Sequence, residues 1–146
     1  MLGRKDFSRD EIDHAKADVD RQLAAYRELV DASGNATDDP KVAAAFEEFE
    51  PQFVNGLLLA LDRYFVHRIR AVSGKDGNAL NELELVVESL LDSDGVLTGN
   101  KVIKYVPSAS VLGLEIGERI QLSVDQFDTF VQAFFTELEA RFLASG

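Results

Sequence analysis

A chain of 146 residues without cysteine is long enough to bury about two thirds of its unfolded surface in one domain, and it excludes disulfides, thiolate zinc sites and cysteine nucleophiles. Its 26 acidic against 15 basic side chains, a net charge of -11, argue against nucleic-acid binding, which needs a basic face to neutralise phosphates. No apolar leader stands in MLGRKDFSRDEID and no apolar run nears the roughly 20 residues of a membrane span, so the expectation is one helical domain over residues 1–146, cytoplasmic, without membrane or nucleic-acid partners.

The first helix is predicted over residues 9–32. Ser8, Arg9, Asp10 and Glu11 have the form of a capping box, and Ile12, Ala15, Val19, Leu23, Tyr26 and Val30 recur at helical spacing. SGNATDDP then reads as a turn, with Asp39 as N-cap and Pro40 at the first helical position. Helical patterning runs on to Val72, but Pro51 lies inside it. A proline there removes one backbone bond and collides with the Glu47 carbonyl, which predicts a short helix carrying Phe46 and Phe49 and a longer one over residues 51–72. Gly74 should end that helix in the left-handed conformation and Asn78 should cap the next, on which Leu80, Leu83, Val86, Val87, Leu90 and Leu91 mark one face.

Ser123, Val124, Asp125 and Gln126 form a second capping box. It opens a last helix with Phe127, Phe130, Phe134, Phe135 and Phe142 on one side, a stripe that reads as core. The roughly thirty residues before it are too many for a structureless loop. Val102, Ile103, Tyr105 and Val106 are β-formers, and Leu112, Leu114, Ile116, Ile120 and Leu122 alternate around Gly117. The predicted fold is therefore mainly α, a four-helix bundle-like core with a small β hairpin between the third and fourth main helices.

The feature that stands out in so acidic a chain is LDRYFVHRIRAVSGKDGN. At about 100° per residue from Phe53, the apolar residues of the helix over 51–72 fill a sector of about 160°, and Arg63, His67 and Arg70 form a stripe opposite. With Lys75, Asp76 and Asn78 just beyond, that stripe is the candidate site for a small anionic ligand. Arg68 falls at about 60°, inside the apolar sector, and so is expected to be held in an ion pair by an Asp or Glu of the first or third helix. Leu59 and Val66 lie on the polar back. This near-apolar circumference and the phenylalanine stripe offer more apolar surface than one small bundle covers, which predicts a homodimer or a protein partner.

Other motifs fail on spacing. Glu11 and His14 supply one arm of a di-iron bundle site with no second arm. DSDGVLTGN has its glycine too early for a calcium loop, GKDGN is no phosphate loop, and no serine stands on a nucleophile elbow. No catalytic residue, metal or cofactor is predicted. The wording DRYFVHR, VSGKDGNALNE, VIKY and GERIQLS resembles a group of small uncharacterised actinobacterial proteins over most of the chain after about Phe46; the resemblance implies no activity, cofactor or site residue. The chain therefore reads as a non-enzymatic interaction protein, with an anion-binding protein or enzyme as the alternative.

Overall fold

Each capping signal in the sequence starts a helix. The computed structural model describes residues 6–33 and 38–144; part of the SGNATDDP turn and the first five residues lie outside them. α1 spans Arg9–Ala32, with the Ser8 hydroxyl accepting from the Glu11 N–H and Glu11 returning to the Ser8 N–H, and it buries Ile12, Ala15, Val19, Leu23 and Tyr26. α2 spans Pro40–Leu61 behind the Asp39 cap. It runs through Pro51 without interruption, which corrects the expected division in two. Glu47, whose carbonyl loses its partner to the proline, is exposed, so water can take up that acceptor.

Beyond Leu61 the helical phase changes. Asp62–Val66 is a π-helical turn, in which the His67 N–H reaches the Asp62 carbonyl, and α3 is only His67–Ile69. An i→i+5 turn holds one residue more than an α-turn, so every later side chain lags by about 100°. Val66, assigned by an unbroken helix to the polar back, is fully buried. Arg68, assigned to the middle of the apolar sector, is turned out and exposed, and Ile69 takes the buried place.

The junction to α4 uses two left-handed glycines, Gly74 at φ 81° and Gly77 at φ 87°. At Gly77 a Cβ would stand 2.2 Å from the Lys104 carbonyl oxygen, so only glycine fits the close approach of the two backbones. Asn78 caps α4, Ala79–Asp92. Every residue from 80 to 87 is buried, including Asn81, Glu82 and Glu84, where one apolar face was expected.

No β-strand exists among the described residues, so the expected hairpin is absent. Residues 93–123 form an irregular segment with one antiparallel bridge, Val96 to Arg119, and a 3₁₀ turn at Pro107–Ala109. The alternating apolar residues Ile103, Leu114, Ile120 and Leu122 are buried as a strand would bury them. The N–H groups, however, find other partners. Val102 and Ile103 donate to the Asn100 side chain at 2.9 and 2.8 Å, and Lys104 to the Lys75 carbonyl at 2.9 Å. α5, Val124–Phe142, lies against α1, α2 and α4. Its five phenylalanines are all buried inside the chain, and with Val66 buried too, the surfaces from which a homodimer was expected are largely covered intramolecularly.

Candidate functional site

The π-turn decides which cation meets the core. Arg70 Nη2 donates to both Asp62 carboxylate oxygens, at 3.1 and 3.3 Å. Its Nε stands 3.3 Å from Glu84 Oε1, a charge contact whose N–H is not aimed well enough to be a hydrogen bond. Lys75 Nζ is 3.9 Å from Glu84 Oε2 and donates to the Arg70 carbonyl. The carboxylates are the buried partners, with side chains 11 % and 6 % exposed for Asp62 and Glu84 against 37 % and 41 % for Arg70 and Lys75. Burial pushes the Glu84 carboxyl above its ordinary range; Lys75 and Arg70 pull it back in part, while Glu88 and Asp62 raise it further. The arrangement ties the π-turn to α4, and the ion pair foreseen for Arg68 belongs to Arg70. Arg68 makes no ion pair among the described residues.

The other candidate ligand residues are not gathered into one site. Asp76 accepts from Asn78 Nδ2 at 2.7 Å and faces Arg141 of α5 at 3.5 Å; the Asn78 bond, ahead of the Arg141 charge, lowers its carboxyl. The Asn78 side chain caps α4 through the Leu80 and Asn81 N–H groups. Arg63 and His67 are exposed and make no ion pair among the described residues. Four of the six are thus engaged within the chain. None of the six lines any of five main clefts among the described residues.

Two features escaped sequence reasoning. The first is Glu82, 1 % exposed, whose two oxygens accept the Val111 and Leu112 N–H groups at 2.9 Å each. Burial raises this carboxyl, and the two backbone bonds offset part of the rise. Beside it, Asn81 accepts the Gly77 N–H and donates to the Gly74 carbonyl. The polar side chains of α4 therefore hold the irregular segment and the glycine junction. Their signal in the sequence is faint: Asn81, Glu82 and Glu84 interrupt the apolar run of LNELELVV.

The second is the first half of α2. No residue from 41 to 49 is buried, although six of the nine are apolar. Phe49, 47 % exposed, continues a ring stack begun inside: Tyr26 lies 5.1 Å from Phe53 at 14° and 6.3 Å from Phe49 at 20°. In front of it is an apolar groove of about 370 Å³ lined by Lys41, Val42, Ala45, Phe46 and Phe49. The Phe46 and Phe49 noted in the sequence are its aromatic walls. A larger cleft of about 630 Å³ runs between α2 and the loop residues Asp94 and Arg119, with Glu47, Glu48 and Asn55 on its helical side. Its charges are mixed, and Arg119 is already directed to the Asp94 carbonyl at 2.9 Å.

Among the described residues no group of three or more His, Asp or Glu side chains is placed to hold a metal ion, and no helix is long and apolar enough to cross a membrane. Set against known protein families, curated proteins and solved structures, the chain matches none of them.

Proposed function

We propose that the chain is a soluble, non-enzymatic interaction protein that docks through the first half of α2. One observation carries this reading: the Tyr26–Phe53–Phe49 stack ends in a half-exposed phenylalanine over an apolar groove. Aromatic side chains give large contact area at low entropy cost and dominate interfaces where they can enter a pocket. The rival reading, recognition of a small anion by Arg63, His67, Arg70 and Lys75, lacks such support, because Arg70 and Lys75 already face Asp62 and Glu84.

The test is site-specific photo-crosslinking in cells expressing the full chain, with the reactive residue in place of Ala45, Phe49 or, as control, Thr129 on the exposed side of α5. The expected result is one adduct, identified by mass spectrometry, from positions 45 and 49 and absent from position 129. Equal or absent adducts at all three would overturn the reading.

A further inference from the structure

Building on that docking surface, we infer that its occupant is a second copy of this chain, with α2 lying antiparallel on α2 about a two-fold axis at Ala45. Val42, Ala45 and Phe49 follow one another at helical spacings of three and four, and so form one stripe along the exposed side. Lys41 and Glu48, seven residues apart, flank that stripe on the same side, two turns from each other. Both are exposed, and neither has an ion-pair partner among the described residues. Lys41 is also the one cation in the sequence of α2.

Turn a second helix antiparallel with Ala45 against Ala45, and the patch completes itself. Val42 meets Phe49 of the second copy, Lys41 meets Glu48, and each contact occurs twice, as an isologous interface requires. Alanine at the crossing lets the two backbones approach closely. A foreign partner has no comparable claim. Beside the stripe one cation, Lys41, stands against one anion, Glu48, with the exposed Asp38 and Asp39 at the helix start, and so isolated a cation gives a strongly acidic ligand little to match. Elsewhere two copies at a net charge of -11 each repel one another. One helix face falls short of the roughly 800 Å² per partner of a standard interface, so the dimer is transient and forms at roughly tens to hundreds of micromolar.

Sedimentation velocity across that range tests the inference on the full chain. The wild type should pass from 16.1 kDa towards twice that mass as concentration rises at a fixed ionic strength, since salt screens both the exposed pairs and the repulsion between the two acidic chains. Phe49→Asp should stay monomeric. Lys41→Glu should weaken the dimer at least about tenfold, because it sets a carboxylate against Glu48 of the second copy at both ends of the crossing. It stays folded, because an acid in the first turn of α2 suits the helix dipole. Combining it with Glu48→Lys should bring the dissociation constant back to within about threefold, since the pair is restored with its charges exchanged.

A single mass at every concentration would overturn the inference, as would a dimer indifferent to Phe49→Asp. A double swap without rescue would refute the antiparallel register. If the chain stays monomeric while the crosslinker at position 49 still identifies another protein, the occupant is wrong and the docking surface stands. If both fail, the docking surface itself falls.

Discussion

α4 and the first half of α2 invert what their residues lead one to expect. Residues 80–87 include Asn81, Glu82 and Glu84 and are buried without exception, whereas residues 41–49 are two-thirds apolar and none of them is buried. Burial here follows from having neighbours on every side. α4 has α2, α5 and the π-turn around it, and the irregular segment over the rest. Its carboxylates can stay inside because distant residues supply N–H groups and cations to them. The first half of α2 meets α1 through Tyr26, which touches Phe46 and Phe49, and its outer aromatic side chains remain open.

The largest effect expected at a charged residue attacks the buried side of this contrast. Arg70→Met removes the guanidinium between Asp62 and Glu84. Stranding a buried carboxylate typically costs about 3–5 kcal/mol; with the arginine itself partly exposed and Lys75 still near Glu84, about 2–4 kcal/mol is expected. Arg68→Met, two residues earlier on the exposed side, should cost less than about 0.5 kcal/mol. Denaturant melts giving the two variants equal stability would show that Arg70 is no more than a surface charge.

Much of this was legible in the sequence and some was not, for physical reasons. Helix starts were readable because capping boxes are local: Ser8 with Glu11, Asp39 before Pro40, Asn78, and Ser123 with Gln126 all act within one turn. Gly74 was readable in the same way. The π-turn left a trace in two simultaneous misfits, apolar Val66 outside and charged Arg68 inside, which a single slip of one residue resolves together. The hairpin was misread because alternation reports which side chains are buried and says nothing of where the N–H groups go. Asn100, Lys75 and Glu82 take those N–H groups from far along the chain or from side chains. Arg70, placed in the exposed stripe, and Arg68, placed inside, exchanged roles through the same slip of phase.

The entrance to α4 gives the next effect. Gly77→Ala must both adopt a left-handed φ and push back the Lys104 carbonyl 2.2 Å away, so it should cost about 2 kcal/mol or more, above the left-handed penalty alone. Gly74→Ala meets only flexible side-chain ends at 3.1–3.4 Å and should cost about 1 kcal/mol, the ordinary left-handed penalty. Thermal unfolding of the pair separates the two terms. Equal losses would mean that the irregular segment yields freely at Lys104 and is not pinned to α4.

Glu82 links the contrast to pH. Glu82→Gln leaves one acceptor for two N–H groups and sets an amide donor against the other, which costs about 1 kcal/mol once the relief of a buried charge is set against it. The raised folded-state affinity fixes the sign. As pH falls, folded Glu82 takes up its proton before the unfolded chain does; this contribution is fully present below the unfolded value near 4.5 and is lost as pH rises through the higher folded value. The stability gap between wild type and Glu82→Gln should therefore widen on acidification from pH 7 towards 4.5. Taking the difference cancels Glu84, which shifts the same way, and Glu139, whose carboxyl is lowered first of all by its bond to Lys16. A gap constant across that window would place Glu82 in ordinary solvent.

The smallest effect, that of Phe49→Ala, is measured against the same residue type in the core. Phe130 is fully buried in α5, and Phe130→Ala should cost about 3–5 kcal/mol through lost transfer energy and the cavity left behind. Phe49→Ala removes a ring whose remaining contacts are the stacks on Tyr26 and Phe53. Those are worth about 0.5–1.5 kcal/mol, and α2 gains a better helix former. At a few micromolar, where the proposed dimer is dissociated, Phe49→Ala should cost about 1 kcal/mol or less. At several hundred micromolar its cost should grow, because association stabilises only the wild type by mass action, while the cost of Phe130→Ala should grow far less, that ring lying away from the interface. A cost for Phe49→Ala that matched Phe130→Ala at low concentration would make Phe49 a core residue, and the uncovered half of α2 would lose its meaning as a surface for association.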